Sequence, residues 1–294
     1  QVPQVPHPHP LPEGEGLLNP ERHFGVRTLA VALALSLWLI ACTPSLPARP
    51  VPPPPGAEPT PAPRPISIPD DEGRHSNSLE WWYYHGHLNS PGTGEEFGFH
   101  FVIFQSRSHQ DQGGVTTYAS QLGVTDVRQS RHVQSARIGV GEQPVGANLV
   151  DLNVGGWSLS IDGSGHTIAA AEGSQAQFGV GLRLERPAAP MLHNGIGWIG
   201  GPSGWTYYYS WPRMPAEGTV TLEGRTVPVT GEVWMDHQWG DFFVLGYPAG
   251  WQWFAIQLED GSSLMVQEFR DIEGKPVAAF GTFAGAGGIP ASQT

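Results

Sequence analysis

The chain runs to 294 residues, room for about two domains. A formal net charge of −12 with only 15 Lys and Arg excludes the basic stripe that nucleic-acid recognition needs. A single cysteine excludes an intrachain disulfide and a Cys-based metal centre, and 11 Trp beside 14% charged residues suit an aromatic-lined β architecture better than a helical bundle.

Residues 1–21 are Pro- and Glu-bearing and aperiodic, so no structure is expected there. All four methionines (Met191, Met214, Met235 and Met265) come late, which points to translation from a non-AUG codon near Leu17, Leu18 or Val26, with upstream read-through before it. Residues 22–41 read as a signal peptide: Arg22 and Arg27 are followed by a run from Leu29 to Ala41 that is apolar except for Ser36. That run is too short for a membrane-spanning helix and fits an h-region. It ends in Leu39-Ile40-Ala41-Cys42, which resembles a bacterial lipobox and implies lipidation of Cys42. The chain is thus expected to be exported and anchored in the cell envelope; an ordinary secretory signal with a coincidental Cys is the alternative. Residues 42–69 form a Pro-rich linker, with twelve prolines between Thr43 and Pro69, the composition of an extended spacer.

From Asp70 the pattern changes. Leu79–Asn89 and Phe97–Phe104 read as a β-hairpin around Ser90–Gly94. Strand-like runs follow at 115–127, 133–140, 147–154, 157–161, 166–171 and 176–184. Residues 192–204 are Gly-rich and loop-like, 205–211 strongly aromatic, and Thr219–Leu222 with Thr226–Trp234 forms a hairpin around Glu223-Gly224-Arg225. No stretch sustains a 3.6-residue apolar period, so the fold class is all-β, a sandwich or barrel. Trp81-Trp82-Tyr83-Tyr84 is echoed by Trp251-Gln252-Trp253-Phe254, each followed by a turn and an apolar strand. The echo reads as the opening hairpin of two similar barrels, the first over 70–240 and the second begun in 241–294 and incomplete where the chain ends.

The chemistry concentrates in Gly231–Gly240, where Trp234, Asp236, His237 and Trp239 fall within six residues. On a strand, Trp234, Asp236 and Gln238 share one face, with Met235, His237 and Trp239 on the other. If the Trp234 face points into a barrel, Asp236 is a buried acid of raised pKa, able to donate a proton. An Asp-His clamp between strands is the structural alternative. Glu80 is either a second carboxylate facing the pocket or a rim charge. Trp81, Trp82, Tyr83, Tyr208, Trp211, Trp234 and Trp239 are candidates to line a pocket for an extended apolar ligand, though much of such a set must be core. His85 and His87 could pair with His100 or His193 around zinc, but no supporting carboxylates are identifiable, and neither a metal nor a cofactor is expected. Gly195–Gly200 matches G-x-G-x-x-G without its flanking strand and helix, and no G-x-S-x-G elbow is present.

Glu80-Trp81-Trp82-Tyr83, Tyr207-Tyr208-Tyr209-Ser210 before Pro212-Arg213, and Gly231–Gly240 together resemble the AttH-like family of two-domain lipocalin-like proteins, to which carotenoid 1,2-hydratase and kievitone hydratase belong. The resemblance implies two lipocalin-like antiparallel β-barrels with a ligand cavity, and implies that Asp236 matches the hydratases' motif aspartate. The expected function is that of a hydratase or related lyase on a hydrophobic, isoprenoid-like alkene. Asp236 would donate the proton, and His237 or a tyrosine would orient the water. A non-catalytic carrier of lipid or pigment is the alternative from another class. Hydrolysis of an ester or lactone through Asp236 and His237 is a third. The expected partners are a hydrophobic small molecule and, through the anchor, a membrane.

Overall fold

The computed structural model describes residues 61–107, 114–141, 143, 148–173, 176–201, 204–242, 250–286 and 290–291. The expected signal segment, Cys42 and the linker up to residue 60 lie outside them. Among the described residues, sixteen strands follow one 3-10 turn at Asp70–Glu72. They are β1 (Leu79–Asn89), β2 (Glu96–Arg107), β3 (Thr116–Asp126), β4 (Arg131–Val140), β5 (Val150–Val154), β6 (Trp157–Asp162), β7 (Gly165–Glu172), β8 (Phe178–Glu185), β9 (Met191–Leu192) and β10 (Trp198–Gly201). Then come β11 (Gly204–Leu222), β12 (Arg225–Phe242), β13 (Gly250–Gln257), β14 (Ser263–Arg270), β15 (Pro276–Ala284) and β16 (Pro290–Ala291).

The main sheet is antiparallel, in the order β4-β3-β2-β1-β12-β11-β8-β7-β6-β5. Two four-stranded meanders, β1–β4 and β5–β8, are thus joined through one long hairpin, β11–β12. The sheet curls into a nearly closed barrel. At the seam, a Cβ on Gly139 of β4 would lie 3.5 Å from Val154 of β5, and Arg137 of β4 lies over the Trp157 ring of β6 at 4.8 Å while pairing with Glu172 of β7. Closure of this kind leaves little free strand edge.

Alternation explains the lining. Glu80, Trp82, Tyr84 and Leu88 of β1 are buried in the barrel, and from β12 come Val227, Val229, Val233, Met235, His237 and Trp239. Tyr and Trp bury about 150–250 Å² each, roughly 4–6 kcal/mol of apolar burial, so the rings outweigh any single hydrogen bond here, worth about 1 kcal/mol net.

In β11 the parity changes. Tyr207, Tyr209 and Trp211 face the core with odd numbers, whereas Met214, Ala216, Val220 and Leu222 face it with even ones. A bulge between Trp211 and Met214 makes the switch: three steps on β11 oppose two on β12, from Trp211↔Met235 to Met214↔Val233. Pro212, which has no N–H to give a ladder, sits in the bulge. The bulge also grips the second sheet, since the Pro212 carbonyl accepts from Gln257 at 2.6 Å and Arg213 donates to the carbonyls of Leu258 and Ser262. Residues read from sequence as two separate runs, 205–211 and 219–222, are therefore one bent strand. The Gly-rich stretch 192–204, read as loop, contributes β10 and the end of β9, which both pair with β11 over Gly204–Ser210, before the bend.

The second sheet has the order β13-β14-β15-β16. Its inner face, with Trp253, Ala255, Met265, Phe280 and Ala284, packs on Met191, Tyr208 and Trp234. The sequence echo falls on corresponding hairpins, with Trp81 opposite Phe104 in β1–β2 and Trp251 opposite Phe269 in β13–β14. Because one face of β12 lines the barrel and the other meets this sheet, Val233 through His237 are all buried.

Candidate functional site

The Trp234 face of β12 does not point into the barrel. It is the His237 face that does, and Asp236 lies on the outside of the barrel wall, covered by the second sheet. Alternation separates the two faces of β12, but each face carries an indole beside an ionisable group, so the sequence does not distinguish the interior one.

Asp236 is 4% exposed. Its Oδ1 accepts from Ser210 Oγ at 2.5 Å and from the Trp234 indole at 2.7 Å, and its Oδ2 accepts from Tyr208 OH at 3.0 Å. Burial drives the carboxyl up and these three donors pull it down. Burial prevails, and the pKa is pushed up to about 6. The same face aligns the donors, since Ser210 is the direct cross-strand partner of Asp236 and Tyr208 is two residues along. The Trp253 indole donates to Tyr208 OH at 3.1 Å, and the Tyr83 and Trp253 rings meet edge to face at 5.7 Å. Burial, then the Asp236 charge, hold both Tyr83 and Tyr208 above the usual phenol range.

The network extends beyond the acid. His193 Nε2 lies 2.8 Å from Ser210 Oγ, and its Nδ1 lies 2.9 Å from Thr282 Oγ1 of β15. The Ser210 hydroxyl has one proton to give. With Asp236 ionised, that proton points to Asp236 and His193 carries its own on Nε2. With Asp236 protonated, the order reverses and His193 carries it on Nδ1, toward Thr282. A change at Asp236 is therefore relayed through Ser210 into the tautomer of His193. This is not a nucleophilic triad, in which histidine sits between serine and acid. Here serine is in the middle, and burial holds His193 down to about 3, too low for a base at neutral pH.

On the inner face lies a second cluster. Glu80 is fully buried, and its Oε1 meets His75 Nδ1 at 2.8 Å and His237 Nε2 at 2.9 Å. Its Oε2 accepts from the His75 backbone N–H at 2.9 Å and from Gln105 at 3.2 Å. Tyr118 in turn donates to Gln105 at 2.9 Å. Burial alone would raise Glu80, but hydrogen bonds from His237 and His75 outweigh it and hold the carboxyl below its usual value. For His75 burial is outweighed by its bonds to Asp71 and Glu80, so its pKa rises, whereas for His237 burial prevails and its pKa falls. Two buried carboxylates, three strand positions apart in register, are thus pushed in opposite directions.

Several sequence expectations are corrected by this geometry. Asp236 and His237 project to opposite faces, so they form neither a clamp nor a water-activating pair, and His237 is not placed to orient water at Asp236. Glu80 is no rim charge, and it faces the barrel interior rather than the Asp236 site. The proposed aromatic lining divides. Tyr208 and Trp234 bond Asp236, and Tyr83 is beside it. Trp82, Trp211 and Trp239 are barrel core. Trp81 packs edge-on to Phe104 and Phe242. The His85–His87 zinc option does not assemble: His87 is exposed, His85 faces Trp253, His100 stacks with His132, and His193 is engaged by Ser210 and Thr282. Ser210, His193, Thr282 and Trp253 carried no signal in the sequence that tied them to Asp236. His75 carried none that tied it to Glu80, because it lies in irregular chain before β1. A cavity of about 640 Å³ lies by the Glu223-Gly224 turn, lined by residues including Arg131, Gln134 and Phe178. It is eleven strand positions from Asp236, roughly 35 Å along β12, and its polar rim does not suit an apolar ligand.

These observations define an all-β protein with a lipocalin-like barrel and a carboxylic acid sealed among aromatic rings where a second sheet covers the barrel wall. The AttH-like family profile matches residues 59–293. The chain belongs to that family. Its fold is shared by the crystal structure of a candidate AttH from Nitrosomonas europaea (24% identity, TM-score 0.68, covering 80% of this chain and 74% of that one). It is shared also by kievitone hydratase from Nectria haematococca (15% identity, TM-score 0.58, covering 82% and 72%). None of the curated proteins compared matches the chain.

Proposed function

We propose that this protein is a hydratase-like enzyme that adds water to a small apolar alkene, with Asp236 as the proton donor. The observation that carries the reading is a buried carboxyl whose pKa is pushed up to about 6 by burial among aromatic residues, where its hydrogen-bond donors are the neutral Ser210, Trp234 and Tyr208. The resemblance in fold to kievitone hydratase supports it. In the proposed reaction the Asp236 O–H bond breaks as a C–H bond forms on the alkene. The resulting carbocation is held by the faces of Tyr83, Trp234 and Trp253, worth about 2 kcal/mol each when desolvated. Water then forms the C–O bond, and its surplus proton returns to the Asp236 carboxylate. Ser210 and His193 accommodate the two charge states by reversing their hydrogen bonds.

The test is turnover of an isoprenoid alkene panel by the full chain, read as a product heavier by one water. Asp236→Asn is expected to abolish turnover while leaving ligand binding intact. Full turnover in that variant would end the proposal. The complete set of bonds on Asp236 also suits a non-catalytic lipid or pigment carrier, in which the acid only fastens the second sheet to the barrel. Binding of an apolar ligand, with no hydrated product from any alkene, would favour that reading. We also propose that the chain is exported and held at the envelope membrane by acylated Cys42, supported by the Leu39–Cys42 motif. A Cys42→Ser variant that still partitions with membranes would oppose this.

A further inference from the structure

We propose that His75, Glu80 and His237 form a divalent-cation site inside the barrel, on the opposite side of β12 from Asp236, of the kind that takes zinc or cobalt. One ligand atom from each residue lies within 4.8 Å of the others. His75 Nδ1 and His237 Nε2 both converge on the same carboxylate oxygen, at 2.8 and 2.9 Å. In a tetrahedral zinc site with bonds near 2.0–2.1 Å, neighbouring ligand atoms are about 3.3 Å apart. Each imidazole nitrogen therefore needs to draw back from the shared carboxylate oxygen by only about half an ångström to admit an ion, while the two nitrogens, within 4.8 Å of each other, settle to the same spacing. The ion displaces the protons that the two nitrogens share with Glu80.

Three further features fit ligands better than a bare hydrogen-bonded triad. First, His75 Nε2 faces the Asp71 carboxylate at 3.9 Å, an ion-pair rather than a hydrogen-bond distance, and His237 has a hydrogen-bonding outer partner on its other nitrogen, Tyr209 OH at 3.2 Å from Nδ1. Such partners fix the tautomer and orientation of ligating histidines. Second, both rings are clamped by indoles. His75 stacks on Trp239 at 4.1 Å and 3°, and His237 stacks on Trp82 at 5.0 Å and 21°. Third, the far oxygen of Glu80 is pinned by the His75 N–H and by Gln105, which aims the near one at the imidazoles. The His75 side chain is 18% exposed, whereas those of Glu80 and His237 are not exposed at all. An ion thus enters from the His75 side, and its open coordination position faces the same way. Two histidines, one glutamate and an open position are a known zinc donor set.

The experiment is titration of the chelator-stripped full chain with Co(II), followed by visible absorption and calorimetry, with Zn(II) as competitor. One equivalent is expected to bind, with Zn(II) displacing it. Glu80→Gln is expected to abolish binding. His75→Ala, at the least buried ligand, is expected to weaken it at least tenfold while far-UV circular dichroism stays unchanged. His132→Ala, which removes an exposed imidazole elsewhere on the barrel, is expected to bind as wild type. Failure of the wild-type chain to bind stoichiometrically would overturn the proposal. So would binding that survives undiminished in a folded His75→Ala variant.

Discussion

Asp236→Asn should stabilise the protein at neutral pH while destroying the proposed activity. The ordinary aspartate value of 3.8 is pushed up to about 6 in the fold by burial. A shift of about two units corresponds to roughly 3 kcal/mol. The folded state holds the proton more tightly than the unfolded chain, so this stabilising contribution is complete below about pH 4 and is lost as pH rises through about 6. Asparagine does not titrate there. Its Oδ1 can still accept from Ser210 and Trp234, but its amide must face Tyr208 OH, which already receives the Trp253 N–H. The Tyr208 proton then loses its acceptor, at about 1 kcal/mol. The balance favours asparagine by about 2 kcal/mol at pH 7 and disfavours it by about 1 kcal/mol at pH 4. Urea unfolding of both proteins between pH 4 and 8, followed by tryptophan fluorescence, gives the difference directly and cancels the titration of every other group. A difference that stays flat with pH, or that moves in favour of aspartate as pH rises, would refute the buried-acid reasoning.

Tyr208→Phe removes a donor to the charged form of Asp236. It should therefore move the midpoint of that stability difference, and of the turnover profile, to higher pH; a downward move would place Tyr208 in another role. Trp211→Ala should cost about 3–5 kcal/mol, read as a lower urea midpoint, because Trp211 is 1% exposed in the barrel core. Trp251→Ala, at a side chain 48% exposed, should stay within about 0.5 kcal/mol. Gly231→Ala should prevent correct pairing of β1 with β12, since its Cβ would meet the His87 carbonyl oxygen at 2.0 Å. Gly98→Ala, whose Cβ finds its nearest neighbour at 3.6 Å, should fold normally by circular dichroism and gel filtration.

The strands were legible wherever one face met water. Leu79–Asn89 reads as a strand from its aromatic residues and the Pro- and Gly-bearing turn that follows, and it is β1 residue for residue. Legibility failed where burial was two-sided. Across Val233–His237 every position is buried, so periodicity gave the faces but not which one looks inward. It failed also for contacts made by irregular chain. His75 reaches Glu80 by folding back over five residues, and His193 meets Thr282 across 89 residues, and neither pairing leaves a periodic trace. The aromatic count predicted a ring-lined interior, but rings pack equally well on both sides of a covered wall, which is why the expected pocket divided into a core set and an Asp236 set.

The bulge at Pro212-Arg213 shows how the two sides are kept in phase. Were the upper register of β11 continued without it, Arg213, Pro215, Glu217, Thr219 and Thr221 would turn into the barrel, and Met214, Ala216, Val220 and Leu222 would turn out. A one-residue slip exchanges every side chain between faces. The extra residue lets the lower half keep its apolar set inside while the upper half still aims Ser210 and Tyr208 outward at Asp236. β12 needs no such correction, because its core residues are odd-numbered from Val227 to Trp239. Asp236 and His237 then become neighbours in sequence with opposite electrostatics. One is desolvated against an apolar sheet and favours its proton, and the other is held against an ionised glutamate. The sequence motif that looked like one acid–imidazole unit is a wall with a different environment on each side: the alternation of β12 decides which residue faces inward, and the bulge at Pro212-Arg213 on the adjacent strand lets Ser210 and Tyr208 meet Asp236 without turning the lower half of β11 inside out.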